Sequence, residues 1–201
     1  CWHEPYMTEE ELIGEFNAEN IISAVSAGIT LNVSPKDIEN AIGKTNSIEG
    51  RMEIFKTRDE KSIVVDYAHT PDSYFKVLST LKKLLNNQYK MHVLFGCGGD
   101  RDRSKRNEMG KIAAKFAYKI WITPDNPRHE NIEQINSEIT KGIDRNKFEV
   151  FENRENGLET AIKKMNSGDI LVVFGKGREN FQDINGAKIK YSDIKIIEKH
   201  L

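Results

Sequence analysis

Short apolar segments alternate with amphipathic ones from Met52 to the end of the chain. Residues 62–66 read Ser-Ile-Val-Val-Asp, which is typical of a short buried strand. After Pro71, apolar residues recur at helical spacing: Tyr74, Leu78, Leu81 and Leu85. The same alternation predicts further strands at 91–96, 119–123, 148–151 and 169–174, and helices at 107–118, around 132–139 and around 158–165. We therefore predict an α/β fold with a mostly parallel, Rossmann-like sheet covered by helices on both faces.

The N-terminal part of the chain has a different pattern. From Leu12 to Ile42, small and apolar residues recur at helical spacing. One predicted apolar face consists of Ile21, Ile22, Val25 and Ile29. Ser34 and Pro35 predict the N-terminal cap of a second short helix that ends near Ile42.

Residues 44–51 are polar, include Gly50, and are typical of an interdomain linker. We therefore predict two parts, residues 1–49 and residues 50–201. The chain begins at Cys1, with neither an initiator Met nor a signal-like apolar core, which favours a piece of a longer polypeptide.

Composition excludes several classes of protein. Hydrophobic residues make up 38% and charged residues 30%, and the net charge is −1, so we expect no nucleic-acid partner. No apolar run approaches the roughly 20 residues of a membrane-spanning helix, so we expect no membrane partner. Two cysteines are too few for a disulfide framework, which predicts a reducing, cytoplasmic location.

The loops after the predicted strands are the most polar and glycine-rich segments of the domain. Right-handed crossovers place these loops on one edge of a parallel sheet, where open α/β sheets bind ligands. Four loops therefore form the candidate site: residues 66–72, 96–106, 123–131 and 175–180.

Two of these loops suggest an ionic ligand. Cations surround the glycine-rich turn GCGGDRDRSKR before a predicted helix, namely Arg101, Arg103, Lys105 and Arg106. Backbone amides, the helix dipole and guanidinium groups there favour a carboxylate or a phosphate. The DNPR segment 125–128 adds an acid, an amide and a guanidinium, so a zwitterion with an extra ionic group is the natural ligand.

Other motifs match known functional patterns only incompletely. The dinucleotide fingerprint G-x-G-x-x-G has Arg101 at its last position, which disfavours a nicotinamide-dependent oxidoreductase. Gly43-Lys44-Thr45 lacks the first glycine of a P-loop, and Gly177 follows Lys176 in GKGREN. The histidines show no metal-ligand spacing, so no metal site is predicted. Cys97 lacks a visible partner base and is expected to be a buried small residue.

Taken together, five motifs resemble the Mur ligase family in order and spacing. They are GRME (50–53), DYAHTPDS (66–73), GCGGDRDRSKR (96–106), DNPR (125–128) and GKGRE (175–179). The resemblance covers roughly residues 12–201 and is to the members that add the third residue of the peptidoglycan stem peptide. It implies a remnant of the central ATPase domain in residues 1–49 and the complete C-terminal, amino-acid-binding domain in residues 50–201.

The resemblance implies an ATP-dependent ligase that forms an amide through an acyl phosphate, with ATP as co-substrate and Mg²⁺ as cofactor. The matching positions imply an amino-acid site: Arg101, Asp125, Asn126, Pro127, Arg128, Gly175 and Glu179. They imply a nucleotide site: Arg51, Asp66 and His69. No catalytic residue and no metal ligand is assigned to this chain, and the enzyme is expected to be monomeric.

The DNPR variant of the motif resembles that of members that add meso-diaminopimelate to UDP-MurNAc-L-Ala-D-Glu, rather than lysine. Arg128 would clamp the distal carboxylate of diaminopimelate, and lysine would leave a buried guanidinium unpaired, at a cost of about 1–3 kcal/mol. One departure is Arg178, where the family usually has His. Without a P-loop the chain is expected to be inactive alone. The alternatives are a non-catalytic amino-acid- or anion-binding module and a lysine-adding ligase of the same family.

Overall fold

The computed structural model of the protein describes residues 15–44 and 48–201, and the side chains from residue 18 onward. Leu12 and residues 45–47 of the predicted linker lie outside the described residues. The chain divides into two compact units, with the boundary between Ile48 and Glu49.

The first unit contains two helices, α1 (Glu15–Thr30) and α2 (Pro35–Gly43). The predicted cap of α2 is confirmed, because the Ser34 side chain accepts a hydrogen bond from the Asp37 amide and Pro35 occupies the first turn. The predicted apolar face of α1 is only partly covered within the described residues. Ile22 and Ile29 on that face remain 65% and 62% exposed.

The second unit contains eight strands, five α-helices and a short 3₁₀ helix among the described residues. The strands are β1 (Glu53–Lys56), β2 (Ser62–Asp66), β3 (Met91–Phe95), β4 (Lys119–Ile122), β5 (Phe148–Val150), β6 (Ile170–Phe174), β7 (Phe181–Ile184) and β8 (Ala187–Lys190). The helices are α3 (Pro71–Leu84), α4 (Lys105–Phe116), α5 (Ile132–Thr140), α6 (Arg154–Lys164) and α7 (Asp193–Glu198), and the 3₁₀ helix is Arg145–Lys147.

The main sheet has the order β1-β2-β6-β3-β4-β5. Every pair in it is parallel except the edge pair β1–β2. The predicted mostly parallel sheet is therefore confirmed, and each strand and helix predicted in residues 62–174 is present with bounds shifted by a few residues. The pattern did not predict β1, α7 or the separate β7–β8 hairpin, which are short, and β8 is exposed along its whole length.

Helices cover both faces of the sheet, as predicted. The chain moves outward through β3, β4 and β5 and then returns to β6, so right-handed connections put α6 on the face opposite α3, α4 and α5. One core layer packs under α6 and α7 and includes Leu94, Trp121 and Leu158. In the other layer, Tyr74 stacks on Phe174 with ring centroids 4.1 Å apart.

A fully buried ion pair ties the carboxyl ends of two strands to the helices behind them. Arg154 at the start of α6 donates to both carboxylate oxygens of Asp193 at the start of α7, at 2.9 and 2.7 Å. It also donates to the Phe174 carbonyl and to the Thr123 hydroxyl, which lie at the ends of β6 and β4. Because a buried charge without its partner is costly, this pair holds the edge that carries the polar loops in one arrangement.

No helix among the described residues combines the length and the apolar character needed to cross a lipid bilayer.

Candidate functional site

The loops at the carboxyl edge of the sheet converge on a cleft of about 340 Å³. Its lining includes Tyr67, His69, Cys97, Gly98, Arg101, Lys105, Met109, Asp125, Asn126, Arg128, Gly175 and Glu179. All four loops predicted to form a site therefore contribute to one cavity, at the place where α/β folds bind ligands. Of the residues predicted to hold an amino acid, only Pro127 lies outside this cleft, in a more open groove beside it.

Asn126 and Glu179 are locked together by a lysine beneath the cleft. Lys176 is completely buried, and its Nζ donates to Asn126 Oδ1 and to Glu179 Oε2, both at 2.9 Å. The Asp183 amide also donates to Asn126 Oδ1, so the Asn126 Nδ2 group points at Glu179 Oε2, at 3.2 Å. The other Glu179 oxygen accepts from the Tyr67 hydroxyl at 3.4 Å. The Glu179 carboxylate is thus held in a fixed orientation at the cleft wall.

Asp125 is the second acid of the cleft. Burial raises its pKa, and the positive charges of Arg154 and Lys176 act against that rise. Gly175 lies against it with a φ of +101°, and a Cβ at that position would overlap Asp125 Oδ2. The glycine is therefore required both by the left-handed backbone and by the closeness of the carboxylate.

Arg128 is held by the backbone on both sides. Its φ is +50°, which is unusual for a residue with a side chain. Its amide donates to the Asp183 carbonyl at 3.0 Å and its carbonyl accepts from the Asn185 amide at 2.8 Å, so the β7–β8 hairpin fixes its position. Its Nη1 donates to the Gly99 carbonyl at 2.7 Å, while its Nη2 has no hydrogen-bond partner among the described residues.

The four cations in the glycine-rich loop have two different roles. Arg106 is fully buried and bonds to Glu130, Glu138 and the Gly98 carbonyl, and Arg103 pairs with Glu138. Of the four cations expected to favour an anionic ligand at this turn, Arg103 and Arg106 instead hold the loop to α5. Arg101 and Lys105 line the cleft, and Arg101 is exposed.

The residues predicted to contact a nucleotide occupy different positions. Asp66 is 4% exposed, and its two oxygens accept hydrogen bonds from the Met52 and Ala68 amides, so it shapes the loop around it. Burial raises the pKa of this carboxyl. His69 lines the cleft, and the Arg51 guanidinium lies 5.5 Å from the ring centre of Tyr67. Asp66 thus supports the loop that carries His69 and Tyr67, and its carboxylate does not line the cleft.

Cys97 lines the cleft with a buried thiol. It is 5% exposed, and burial raises the pKa of its thiol to about 12, so the thiol stays protonated. The expectation of a buried small residue is confirmed. No cluster of three or more His, Cys, Asp or Glu side chains within the described ranges could hold a metal ion.

Sequence patterns missed several residues that build the site. Lys176 drew attention only as part of an incomplete phosphate loop, although a lysine between two glycines after a buried strand is a usable signal. Tyr67 lines the cleft although no role was predicted for it, and Lys105, which also lines the cleft, was noted only among the cations of the glycine-rich loop. Asp183 and Gln182 act from the hairpin, and Gln182 donates to the Pro124 and Asp125 carbonyls. Nothing in local sequence shows that the hairpin reaches the DNPR segment.

The fold and the site define an α/β domain with a cleft, lined by cationic and anionic side chains, at the carboxyl ends of its strands. The chain belongs to the Mur ligase family, because residues 50–177 match the family model described as "Mur ligase, glutamate ligase domain".

Two relatives that match nearly the whole chain have the name of one kind of Mur ligase. The chain is 40% identical over 194 residues to the UDP-N-acetylmuramoyl-L-alanyl-D-glutamate--2,6-diaminopimelate ligase of Rickettsia conorii, covering 96% of this chain and 40% of that protein. It is 40% identical over 188 residues to the ligase of the same name from Chlorobaculum tepidum, covering 93% and 37%. The chain thus spans about two fifths of the length of the curated relatives it matches.

Solved structures agree with this assignment. A structure of a UDP-N-acetylmuramoyl-L-alanyl-D-glutamate--2,6-diaminopimelate ligase matches with a TM-score of 0.72 and 37% identity, over 96% of this chain and 39% of that one. A Mycobacterium tuberculosis folylpolyglutamate synthase complexed with ADP and AMPPCP matches with a TM-score of 0.66 at 18% identity, over 82% and 38%. The second likeness shows a shared fold.

Proposed function

We propose that this chain is the amino-acid-binding part of an ATP-dependent ligase that adds meso-diaminopimelate to UDP-MurNAc-L-Ala-D-Glu in peptidoglycan synthesis. One observation carries the proposal: a single cleft is lined by both cations and anions. Arg101, Lys105 and Arg128 line it together with Asp125 and Glu179. The relatives that match nearly the whole chain are named for this reaction.

The cleft suits an amino acid with ionic groups at both ends. Arg101 and Arg128 bind carboxylates, and the carboxylates of Asp125 and Glu179 bind an ammonium group. Asn126 lines the same cleft, and Lys176 fixes the orientation of its amide. Gly175 leaves the space that the ligand backbone needs, and Pro127 supports the turn before Arg128. Held in this way, the ligand amine is positioned to attack an acyl phosphate, with phosphate as the leaving group.

Arg128 supplies the preference for diaminopimelate over lysine, with a smaller penalty against lysine than the sequence suggested. Its side chain is 23% exposed and its Nη1 already bonds to the Gly99 carbonyl, so lysine would not leave it wholly unpaired. The free Nη2 edge is the part that a distal carboxylate would engage. Discrimination therefore comes mainly from the charge-assisted bond gained with diaminopimelate.

The nucleotide contacts of this chain come from Arg51 and His69, while Asp66 holds their loop in place. Arg51 is cationic and exposed, which fits a phosphate group. The described residues do not fit a Mg²⁺ site. We therefore propose that the Mg²⁺ ligands lie mostly in the upstream domain of the enzyme, as the family resemblance implied.

Residues 1–49 are the end of the central ATPase domain in this proposal, and residues 50–201 are the C-terminal domain. The boundary between the two compact units, after Ile48, supports this division. We further propose a monomeric cytoplasmic enzyme, as the family resemblance implied. Without its ATPase domain the chain would bind its ligand but release no ADP.

The test follows ADP release by a polypeptide in which this chain is joined to the ATPase and UDP-sugar domains of its ligase. UDP-MurNAc-L-Ala-D-Glu is supplied with either meso-diaminopimelate or L-lysine. We expect turnover with diaminopimelate and little with lysine. Turnover with lysine alone would replace the substrate assignment. ADP release that no amino acid stimulates would favour a non-catalytic binding module.

A further inference from the structure

Arg178, the residue that departs from the family pattern, forms a bidentate ion pair with Glu53, which is distant from it in sequence. Its Nε donates to Glu53 Oε2 at 3.0 Å and its Nη2 donates to Glu53 Oε1. Glu49 adds a weaker contact, with its Oε1 at 3.7 Å from Arg178 Nη1. The Glu53 side chain is only 11% exposed, so its carboxylate depends on these donors for compensation.

The segment that carries Glu53 is also fixed to the loop on the nucleotide side. The Gly50 carbonyl accepts from the Tyr67 amide at 2.9 Å, and the Met52 amide donates to Asp66 Oδ2 at 2.9 Å. Met52 has a φ of +48°, in the left-handed region. A residue with a side chain keeps that conformation only where surrounding contacts hold it there.

The same segment is fixed to the loop on the amino-acid side. Glu53 Oε2 accepts from the Gly50 amide at 2.9 Å as well as from Arg178. The Glu53 carboxylate is therefore bonded both to the start of its own segment and to the 175–179 loop. Arg178 directly precedes Glu179, the acid that faces the cleft. Arg51 lies between Gly50 and Met52 on the other side of the pair.

We infer that Arg178 and Glu53 form a clamp that couples the nucleotide side of the site, at Arg51, to the amino-acid side, at Glu179. The inference rests on the proposed function. Both are positioning residues: neither lines the cleft, and each acts through a neighbour in sequence. Breaking the clamp frees the 50–53 segment and the 175–179 loop to move independently, and therefore weakens both ligands together.

The test is a double-mutant cycle in the full ligase, with KM measured separately for ATP and for meso-diaminopimelate. We expect Arg178→Ala and Glu53→Ala each to raise both KM values by about fivefold or more, the lower end of typical site-to-site coupling. The double variant should be no worse than either single variant, because each substitution already breaks the same pair. Arg178→Lys should fall in between, since lysine keeps the charge and loses the fork.

Controls separate this effect from a loss of stability. A variant that merely unfolds more readily reduces the amount of active enzyme, which lowers the apparent kcat and leaves both KM values unchanged. Lys163→Ala removes a surface lysine whose one ion pair within the described part of the chain is with Glu159, and this variant should match the wild type.

The outcomes are distinguishable. KM values that stay at the wild-type level, that change for one substrate only, or that multiply in the double variant would overturn the clamp while leaving the ligase assignment intact. A wild-type enzyme without turnover dependent on diaminopimelate would overturn the proposed function, and the clamp with it.

Discussion

Two arginines of the glycine-rich loop, Arg101 and Arg106, look equivalent in sequence and have opposite environments. Arg101 is exposed at the cleft and has no ion-pair partner among the described residues, whereas Arg106 is fully buried between Glu130 and Glu138. An arginine whose charge is already compensated adds little to ligand binding. Whether a charged side chain is free to bind a ligand therefore depends on the ion pairs that it already forms within the protein.

Arg128→Ala is expected to raise the KM for meso-diaminopimelate by about tenfold, the value of one charge-assisted hydrogen bond. The KM for ATP should stay unchanged, because no hydrogen bond or ion pair among the described residues joins Arg128 to Arg51 or His69. Steady-state ADP release measures both constants. The assignment of Arg128 is contradicted if the amino-acid KM stays at its wild-type value.

Gly175→Ala is expected to weaken amino-acid binding and to lower the melting temperature. A Cβ there overlaps Asp125 Oδ2, and the φ of +101° is strained for alanine. Gly43→Ala is the matched control, since its Cβ would meet no atom within 4 Å. Calorimetry with diaminopimelate and thermal unfolding measure the two effects. Equal behaviour of the two variants would show that this close approach is unimportant.

Between elements, the site depends on links that run across the sheet edge. Arg106 on α4 and Glu138 on α5 bond at 2.8 Å and hold the glycine-rich loop beside the DNPR segment. The β7–β8 hairpin holds the other side of that segment through Asp183 and Gln182. The β7–β8 hairpin, which the sequence pattern did not predict, thus helps to fix the position of the DNPR segment.

The α4–α5 link predicts a pH dependence. Hydrogen bonds from Arg103 and Arg106 lower the pKa of Glu138 from 4.5 to about 2. A lowered carboxyl pKa stabilises the fold above the ordinary value and loses that contribution as the pH falls from about 4.5 towards 2. Glu138→Gln should therefore lower the melting temperature at neutral pH and flatten its fall in acid.

Melting temperatures between about pH 7 and pH 2.5 test this expectation across the window of the shift. Glu133→Gln is the control, because Glu133 is exposed on the same helix and has no ion pair within the described part of the chain. Parallel curves for the wild type and Glu138→Gln would show that the link contributes nothing to stability.

For the molecule as a whole, the second unit has its own core on both faces of the sheet. Buried side chains from every strand of the main sheet contribute to it, including Ile54, Val64, Val93, Ile120, Phe148 and Val172. A domain that buries this much apolar surface within itself does not depend on a neighbour for its core.

A polypeptide of residues 49–201 is therefore expected to unfold in a single cooperative transition. It contains one cysteine, Cys97, whose thiol is buried and has a pKa of about 12. A thiol reagent should label it at least about 100 times more slowly in buffer than in urea, because only the unfolded state exposes the thiol. Rapid labelling in buffer would contradict an independently folded unit.

The sequence alone determined the parallel strands of the main sheet, the helices between them and the edge at which the ligand loops lie. These follow from local periodicity and from the handedness of the connections, both of which are written in short stretches of chain. Of the ten residues that it singled out for the amino-acid and nucleotide sites, seven line the cleft, and Arg51, Asp66 and Pro127 do not.

Tertiary structure decided which polar residues bind and which support. Lys176, Arg106 and Asp66 look like ligand contacts in sequence, and each is buried with its charge or oxygens already bonded to neighbouring groups. Whether a polar group is free for a ligand depends on partners distant in sequence, such as Glu130 for Arg106 and Asn126 for Lys176. Local patterns do not contain those contacts, because they form only when the sheet and the hairpin bring the loops together.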